Sequence, residues 1–448
     1  MNSHFLIACS ITLPLSCTIL TPPIVSGQTA NTLQQRINRP PVIDTVLVLG
    51  NRKTKEFVIL NEMTLKPGMT ATQEQLEYDR GRIYSLGLFT RVDLEFQRLD
   101  TTGYLIVDVS ERWYIIPLPI FGFRDGDPRK IFYGAGLIHN NFRGVNQKLF
   151  GEFTLGYDPS MVLEFQDPLI DFRNNLSLAA EISLTTVRNR SVLESNLTGD
   201  FDEHHYGASL WMGKRLSLFE TAGVGVGYNV VSVTSYRSGR TASPTGRDDF
   251  LSATTSYVYD SRDLREYAMQ GLFVAASIAQ SGFGESHVSF TRYGFDVRPY
   301  MPISRDLTLA ARGYTSVVTG GTVPTYARAY IGYIDRVRGY YRTIFEGDDC
   351  AGGTLELRYA LLRARTIDMT FLPVPDQFAL WRFGINLALF ADAGSAWFRG
   401  KGLKLESFVS GYGGGVHILL PYGYVGRIEY AINNYGRGQL ILDLRGSI

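Results

Sequence analysis

Two short segments carry the side chains best placed for chemistry. One is the turn-like run Arg336-Val337-Arg338-Gly339-Tyr340; the other is Phe390-Ala391-Asp392-Ala393-Gly394. Asp392 lies in a stretch of strict alternation. Ile385, Leu387, Leu389 and Ala391 share one face, and Gly384, Asn386, Ala388, Phe390 and Asp392 share the other. If the aliphatic face meets lipid, Asp392 points inward, where a carboxylate needs a partner or water. Covalent chemistry finds little else to build on. There is no GxSxG, no HExxH and no acidic pair at suggestive spacing, and the six His are scattered. His204-His205 reads as polar loop surface. Cys9 and Cys17 sit at the extreme N-terminus, so Cys350 stands alone in the mature chain, a free thiol expected in a surface loop. No metal site, cofactor or enzymatic activity is expected.

The composition narrows the class of element that must hold these groups. With 44 Lys+Arg against 43 Asp+Glu the net charge is +1, which gives no electrostatic reason to expect nucleic acid. Charged residues are 19%, Gly is 46 of 448, and Tyr and Phe number 26 each. Past the N-terminus no apolar run reaches the length of a membrane-spanning helix, while 45% hydrophobic residues argue against disorder. A soluble all-β protein or a transmembrane β-barrel remains.

The apolar stretch Phe5–Leu20, followed by Val25-Ser26-Gly27, reads as a signal peptide over 1–27. Residues 28–41, ending in Pro40-Pro41, read as a linker. Residues 42–112 then spell a β-α-α-β-β module: a strand at Ile43–Leu49, a helix over Thr54–Met63 with Thr54 as cap, and the turn Lys66-Pro67-Gly68. A second helix runs from Thr72, with Gln75 completing a capping box, to Gly87. Two alternating strands close the module. From Trp113 onward, strand-length alternating segments repeat: Leu176–Leu184, Leu307–Val317 and Gly353–Leu361, where Glu356 and Arg358 fall on the non-apolar face. The export signal, the Gly and Tyr content and these inward charges favour an outer-membrane barrel over residues 113–448. At spanning strands of ~9–11 residues that is about 16 strands.

The VRG(F/Y) and FxDxG segments, in this order, resemble the outer-membrane assembly superfamily. That superfamily includes the BamA- and TamA-type insertases, surface-antigen barrels and the two-partner-secretion transporters. GNRKT, KPG and RIYSLGLFTRVDLEF resemble its POTRA domain. NFRGVNQKL, YDPSMVLEFQDPLI and YDSRD (Tyr259–Asp263) resemble its barrel motifs. The resemblance implies that Arg338, on a loop folded into the barrel, meets Asp392. Arg fits that task because its planar fork grips a carboxylate bidentately, and Gly339 lets the chain turn beside it. Arg338, Gly339, Tyr340, Phe390, Asp392 and Gly394 are therefore the expected luminal site.

The chain departs from the family's main assembly subunit in having room for one POTRA module. Its last strand places Leu440, Leu442, Leu444 and the terminal Ile448 on one face, with an aliphatic residue where an aromatic one is usual. The resemblance implies an insertase or translocase in the bacterial outer membrane with its POTRA-like domain in the periplasm. Its partners would be unfolded outer-membrane or secreted client polypeptides, membrane lipid and accessory lipoproteins. A passive or structural barrel and a two-partner-secretion transporter are the alternatives. One further feature bears on a seam. Pro117 and Pro119, two apart in the expected first barrel strand Tyr114–Phe123, remove two donors from one edge. Either that bare edge faces the last strand, giving a weak closure, or both prolines lie in a linker before pairing begins.

Overall fold

The computed structural model describes residues 42–124, 129–171, 173–284, 286–369, 371 and 380–445. The expected signal peptide, the linker and Ile448 lie outside the described residues.

The N-terminal module comprises β1 (Thr45–Leu49), α1 (Glu56–Leu60), α2 (Gln73–Tyr84), β2 (Phe89–Leu99) and β3 (Thr102–Glu111). Its sheet runs β1-β3-β2, with β1 parallel and β2 antiparallel to β3. Thr72 caps α2: its hydroxyl oxygen accepts from Gln75 N–H at 3.2 Å. The hydroxyl proton goes to Gln75 Oε1 at 3.0 Å, so the Gln side chain engages the cap hydroxyl rather than completing the expected box. Gly87, at φ 73°, lets the chain leave the helix. The fully buried Asp79 accepts from the backbone of Thr64 and Leu65 at 2.9 Å each, pinning the turn that carries Lys66-Pro67-Gly68 to α2. Ile43, Ile59, Ile83, Leu88, Phe89 and Leu105 are the buried centre. At about 1.5–3 kcal/mol per side chain, their burial outweighs anything the short helices supply alone.

The first helix is shorter than the sequence suggests, and Thr54 does not cap it. Lys55 occupies the cap without a side-chain bond. Instead the Thr54 hydroxyl donates to Glu111 Oε1 at 2.7 Å, lies 2.9 Å from Tyr114 Oη, and accepts from Asn141 Nδ2 at 2.9 Å. A tertiary network has claimed the hydroxyl that a local cap would have used.

Sixteen strands form the second sheet. They are β4 (Ile115–Phe123), β5 (Ile131–Phe142), β6 (Gln147–Gly156), β7 (Ser160–Asp171), β8 (Leu176–Arg188), β9 (Asp202–Arg215), β10 (Glu220–Val233), β11 (Arg247–Asp260), β12 (Gly271–Ser281), β13 (Phe290–Pro302) and β14 (Leu307–Gly320), then β17 (Asp349–Asp368), β18 (Leu380–Trp397), β19 (Val409–Leu419), β20 (Val425–Asn433) and β21 (Gly438–Arg445). Between β14 and β17, β15 (Ala329–Ile331) and β16 (Phe345–Gly347) form a small separate hairpin, and α3 (Val192–Thr198) lies between β8 and β9. All neighbours in the large sheet pair antiparallel in chain order, with β4 at one end and β21 at the other. Exposed Val224, Val226, Leu355 and Leu389 line the outer face; Glu356, Arg358, Asp392 and Glu429 are buried on the inner one. This is the transmembrane barrel pattern, apolar outward and polar inward.

Among the described residues the sheet is not closed. β4 pairs with β5 and β21 with β20, and β4 and β21 are the two free edges. Pro117 and Pro119 lie within the β4–β5 ladder, opposite Leu137 and Ala135, which overturns the linker reading. Their orientation follows from the flanks. Tyr114 O accepts from Asn140 N, and Arg124 N donates to Lys130 O, so even-numbered residues turn their backbone groups toward β5. The odd-numbered Pro117 and Pro119 therefore face the free edge, where a missing N–H disrupts no existing pair. Leu440, Leu442 and Leu444 on β21 are each more than 60% exposed, as a lipid-facing row should be.

Two smaller expectations fail. His204 and His205 are in β9, not a loop, bonded to Thr186 and Glu203. Cys350 is the second residue of β17 and is buried among Ile331, Val337 and Tyr340, because the loop above it folds inward and covers it.

Candidate functional site: a luminal latch beside an open seam

The chain between β14 and β17 folds back into the barrel and presents Arg338 at a tight turn. Gly339 sits at φ +97°, and a Cβ there would lie 3.1 Å from Asn433 N. Arg338 Nε donates to Asp392 Oδ2 at 2.7 Å and Nη2 to Oδ1 at 2.8 Å, a bidentate grip; its backbone N–H adds a third bond at 3.0 Å. The guanidinium stacks 3.5 Å from the Phe390 ring centroid. Gly394 leaves room for Ile331 and Val337, which a Cβ would approach to 3.0 and 3.1 Å. The three marked positions of FxDxG thus do three jobs on one strand face: stack, pair and make space. Tyr340 donates its hydroxyl proton to Asn434 and packs edge-on against Phe345.

Around this pair the structure places a larger cluster that the two motifs alone do not specify. Arg338 Nη1 also donates to Glu356 Oε2 and to Glu429 Oε1, both at 2.8 Å. Arg358 Nε donates to the other Glu356 oxygen at 2.8 Å, and its Nη1 to Ala268 O at 2.8 Å. His417 lies between Glu429, 3.0 Å from Nε2, and the Tyr267 hydroxyl, 2.9 Å from Nδ1. A usable signal existed: Asp296/Arg298, Glu356/Arg358 and Arg427/Glu429 are opposite charges at i, i+2, hence on one strand face. Glu356, His417 and Glu429 also have the mutual spacing of a metal site. Arg338 already donates to both of those carboxylates, so a cation would have to displace it.

Tyr267 and Ala268 come from the opposite end of the barrel. They belong to the segment 261–270 between β11 and β12, which begins inside the YDSRD motif. Its outer end meets the N-terminal module. Tyr78 Oη donates to Ser261 O at 2.7 Å, Arg82 Nη1 to Asp260 O at 3.2 Å, and Arg265 N to Ser85 Oγ at 3.0 Å. A Cβ on Gly81 would lie 2.4 Å from Asp263 O, so helix and segment touch through backbone. Asp263 accepts from Met269 and Gln270 N–H at 3.0 and 3.3 Å, and burial pushes its carboxyl up to about 6. One loop from above and one segment from below thus meet on a shared set of charges.

The structure brings together Arg338, Gly339, Tyr340, Phe390, Asp392 and Gly394. Pro117 and Pro119 are on β4 and Leu440, Leu442 and Leu444 on β21, the two end strands of the sheet, which do not pair with each other among the described residues.

The fold is found in solved structures. The solved structure of BamA from Haemophilus ducreyi lacking POTRA domains 1-3 matches with a TM-score of 0.52 at 14% identity, covering 90% of this chain and 83% of that one. CdiB from Escherichia coli matches with a TM-score of 0.53 at 11% identity, covering 90% and 75%. At such identities the likeness is one of fold. The POTRA family model described as a surface antigen variable number repeat matches residues 41–112. The Omp85 superfamily domain matches residues 141–440, most of the barrel and its latch, and the chain belongs to the Omp85 superfamily.

Proposed function

We propose that this chain inserts β-barrel clients into the bacterial outer membrane, with its POTRA domain in the periplasm and without making or breaking covalent bonds. The observation that carries this reading is the pair of edges, β4 and β21, unpaired among the described residues, on a sheet whose other neighbours all pair antiparallel. An edge offers a client strand a row of backbone donors and acceptors. In the POTRA domain, β2 is likewise an edge strand, with Asp93, Glu95 and Gln97 exposed. It would hold an extended client while α2 stays docked on the barrel. Unfolded outer-membrane polypeptides, lipid at the seam and accessory lipoproteins are the corresponding partners.

Translocation of a secreted client through the lumen is the second reading. It requires the latch loop and segment 261–270 to leave the barrel, breaking the Arg338 and Arg358 bonds. Insertion requires only the seam. The same filled lumen argues against a passive pore. Depletion of the chain followed by quantitative proteomics separates the readings. Insertion predicts loss of folded barrels from the outer membrane. Retention of every barrel together with loss of one secreted protein would favour translocation.

A further inference from the structure

GNRKT in the POTRA domain and NFRG in the barrel meet at the foot of β4. The end of β5 and the turn into β6 hold Asn141, Arg143, Gly144 and Asn146 all at positive φ, an unusual density of left-handed residues. A Cβ on Gly144 would lie 2.2 Å from Lys53 O, and Lys55 N donates to Gly144 O at 2.8 Å. The turn is therefore built to receive the POTRA loop, and it projects Arg143 beside Lys53.

These two cations line a cavity of about 340 Å³ with Trp113, Tyr114 and Asn141. Lys53 Nζ sits 5.9 Å from the Tyr114 ring centroid, and neither Lys53 nor Arg143 has a carboxylate partner for its side chain among the described residues. Trp113 is 46% exposed and lies two residues before Ile115, itself 44% exposed, at the end of the outward row that continues through Phe121 and Phe123. The cavity thus opens where the apolar face ends. There an indole and long cationic side chains meet lipid headgroups.

We propose that this junction binds the phosphate of a phospholipid from the periplasmic leaflet, held between Lys53 of the POTRA domain and Arg143 of the barrel. A lipid is favoured over a free anion because the cavity is continuous with the lipid-facing row. The bound headgroup would tie the POTRA domain to the foot of the free edge strand.

The test uses the full chain reconstituted in vesicles of phosphatidylethanolamine and phosphatidylglycerol, then extracted, with retained lipid counted by native mass spectrometry. Each cation at a charged lipid surface is expected to contribute about fivefold to retention. Lys53→Gln with Arg143→Gln should therefore lower it by about 25-fold, and Lys55→Gln should leave it unchanged. The single variant Arg143→Gln alters only an exposed turn, so it reports even if the double variant folds poorly. Retention in Arg143→Gln equal to the parent overturns the proposal. So does displacement of the lipid by millimolar inorganic phosphate, which would mark a free-anion site.

Discussion

Arg338 makes five hydrogen bonds to three buried carboxylates, so its loss leaves Asp392, Glu356 and Glu429 facing one another across the lumen. Removing one partner of a buried pair costs roughly 3–5 kcal/mol, and water admitted to the lumen lowers this. Arg338→Ala should still export a barrel but release the latch loop, seen as new protease cleavage between Gly332 and Arg342. Arg338→Lys keeps the charge and loses the fork, and should fall between. Asp263 makes a different prediction. Its carboxyl titrates in the folded protein near 6, above the ordinary range, so the folded state bears a growing ionisation cost as pH rises from about 4 to 6. Segment 261–270 should then be held more firmly at pH 5 than at pH 7.5. In hydrogen exchange, the parent should show this difference over Asp263→Asn, which keeps the carbonyl acceptor but cannot ionise. Identical pH profiles for the two proteins would remove the argument. At this scale parity, a local property, put Asp392 on the inner face, while its partner Arg338 was supplied by the resemblance of the two motifs to the superfamily. The i, i+2 charge pair puts Glu356 and Arg358 on the inner face, but their meeting with His417 and Tyr267 depends on which segments enter the barrel, and no local pattern encodes that.

Among elements, those with strong periodicity were legible from sequence. Helix α2 begins at its capped Thr72 position and the inward and outward rows of β8, β14, β17 and β18 follow the alternation. The first helix was overestimated because Thr54 satisfies cap chemistry equally well with Glu111, which lies 57 positions away. The position of the prolines was ambiguous for a related reason. An X-Pro-X-Pro run is extended either in a linker or at a sheet edge, and only pairing with β5 distinguishes the two. The seam carries the element-scale prediction. Cysteine pairs scanned along β4 and β21 should include one that forms a disulfide and halts client insertion, with recovery on reduction. A locked pair that leaves insertion at the parent rate would exclude the seam as the working surface.

For the molecule as a whole, composition and the POTRA-like start were enough for the architecture, since an α+β module followed by sixteen alternating segments has few packing solutions. The docking of α2 through Tyr78, Arg82 and Ser85 was not visible, because those side chains bond to backbone carbonyls and amides that sequence does not distinguish. If β4 receives client strands as proposed, its prolines have a kinetic consequence. A client strand zipped along that edge would find carbonyl acceptors at Pro117 and Pro119 but no donors between Ile115 and Phe121. At about 0.5–1.5 kcal/mol per net bond, two absent bonds shorten the residence of the client by roughly 5- to 150-fold. An edge with a complete ladder would keep what it catches. Pro117→Ala with Pro119→Ala should therefore lengthen the lifetime of a stalled client complex, measured by cross-linking after a chase, while slowing the number of clients released per barrel.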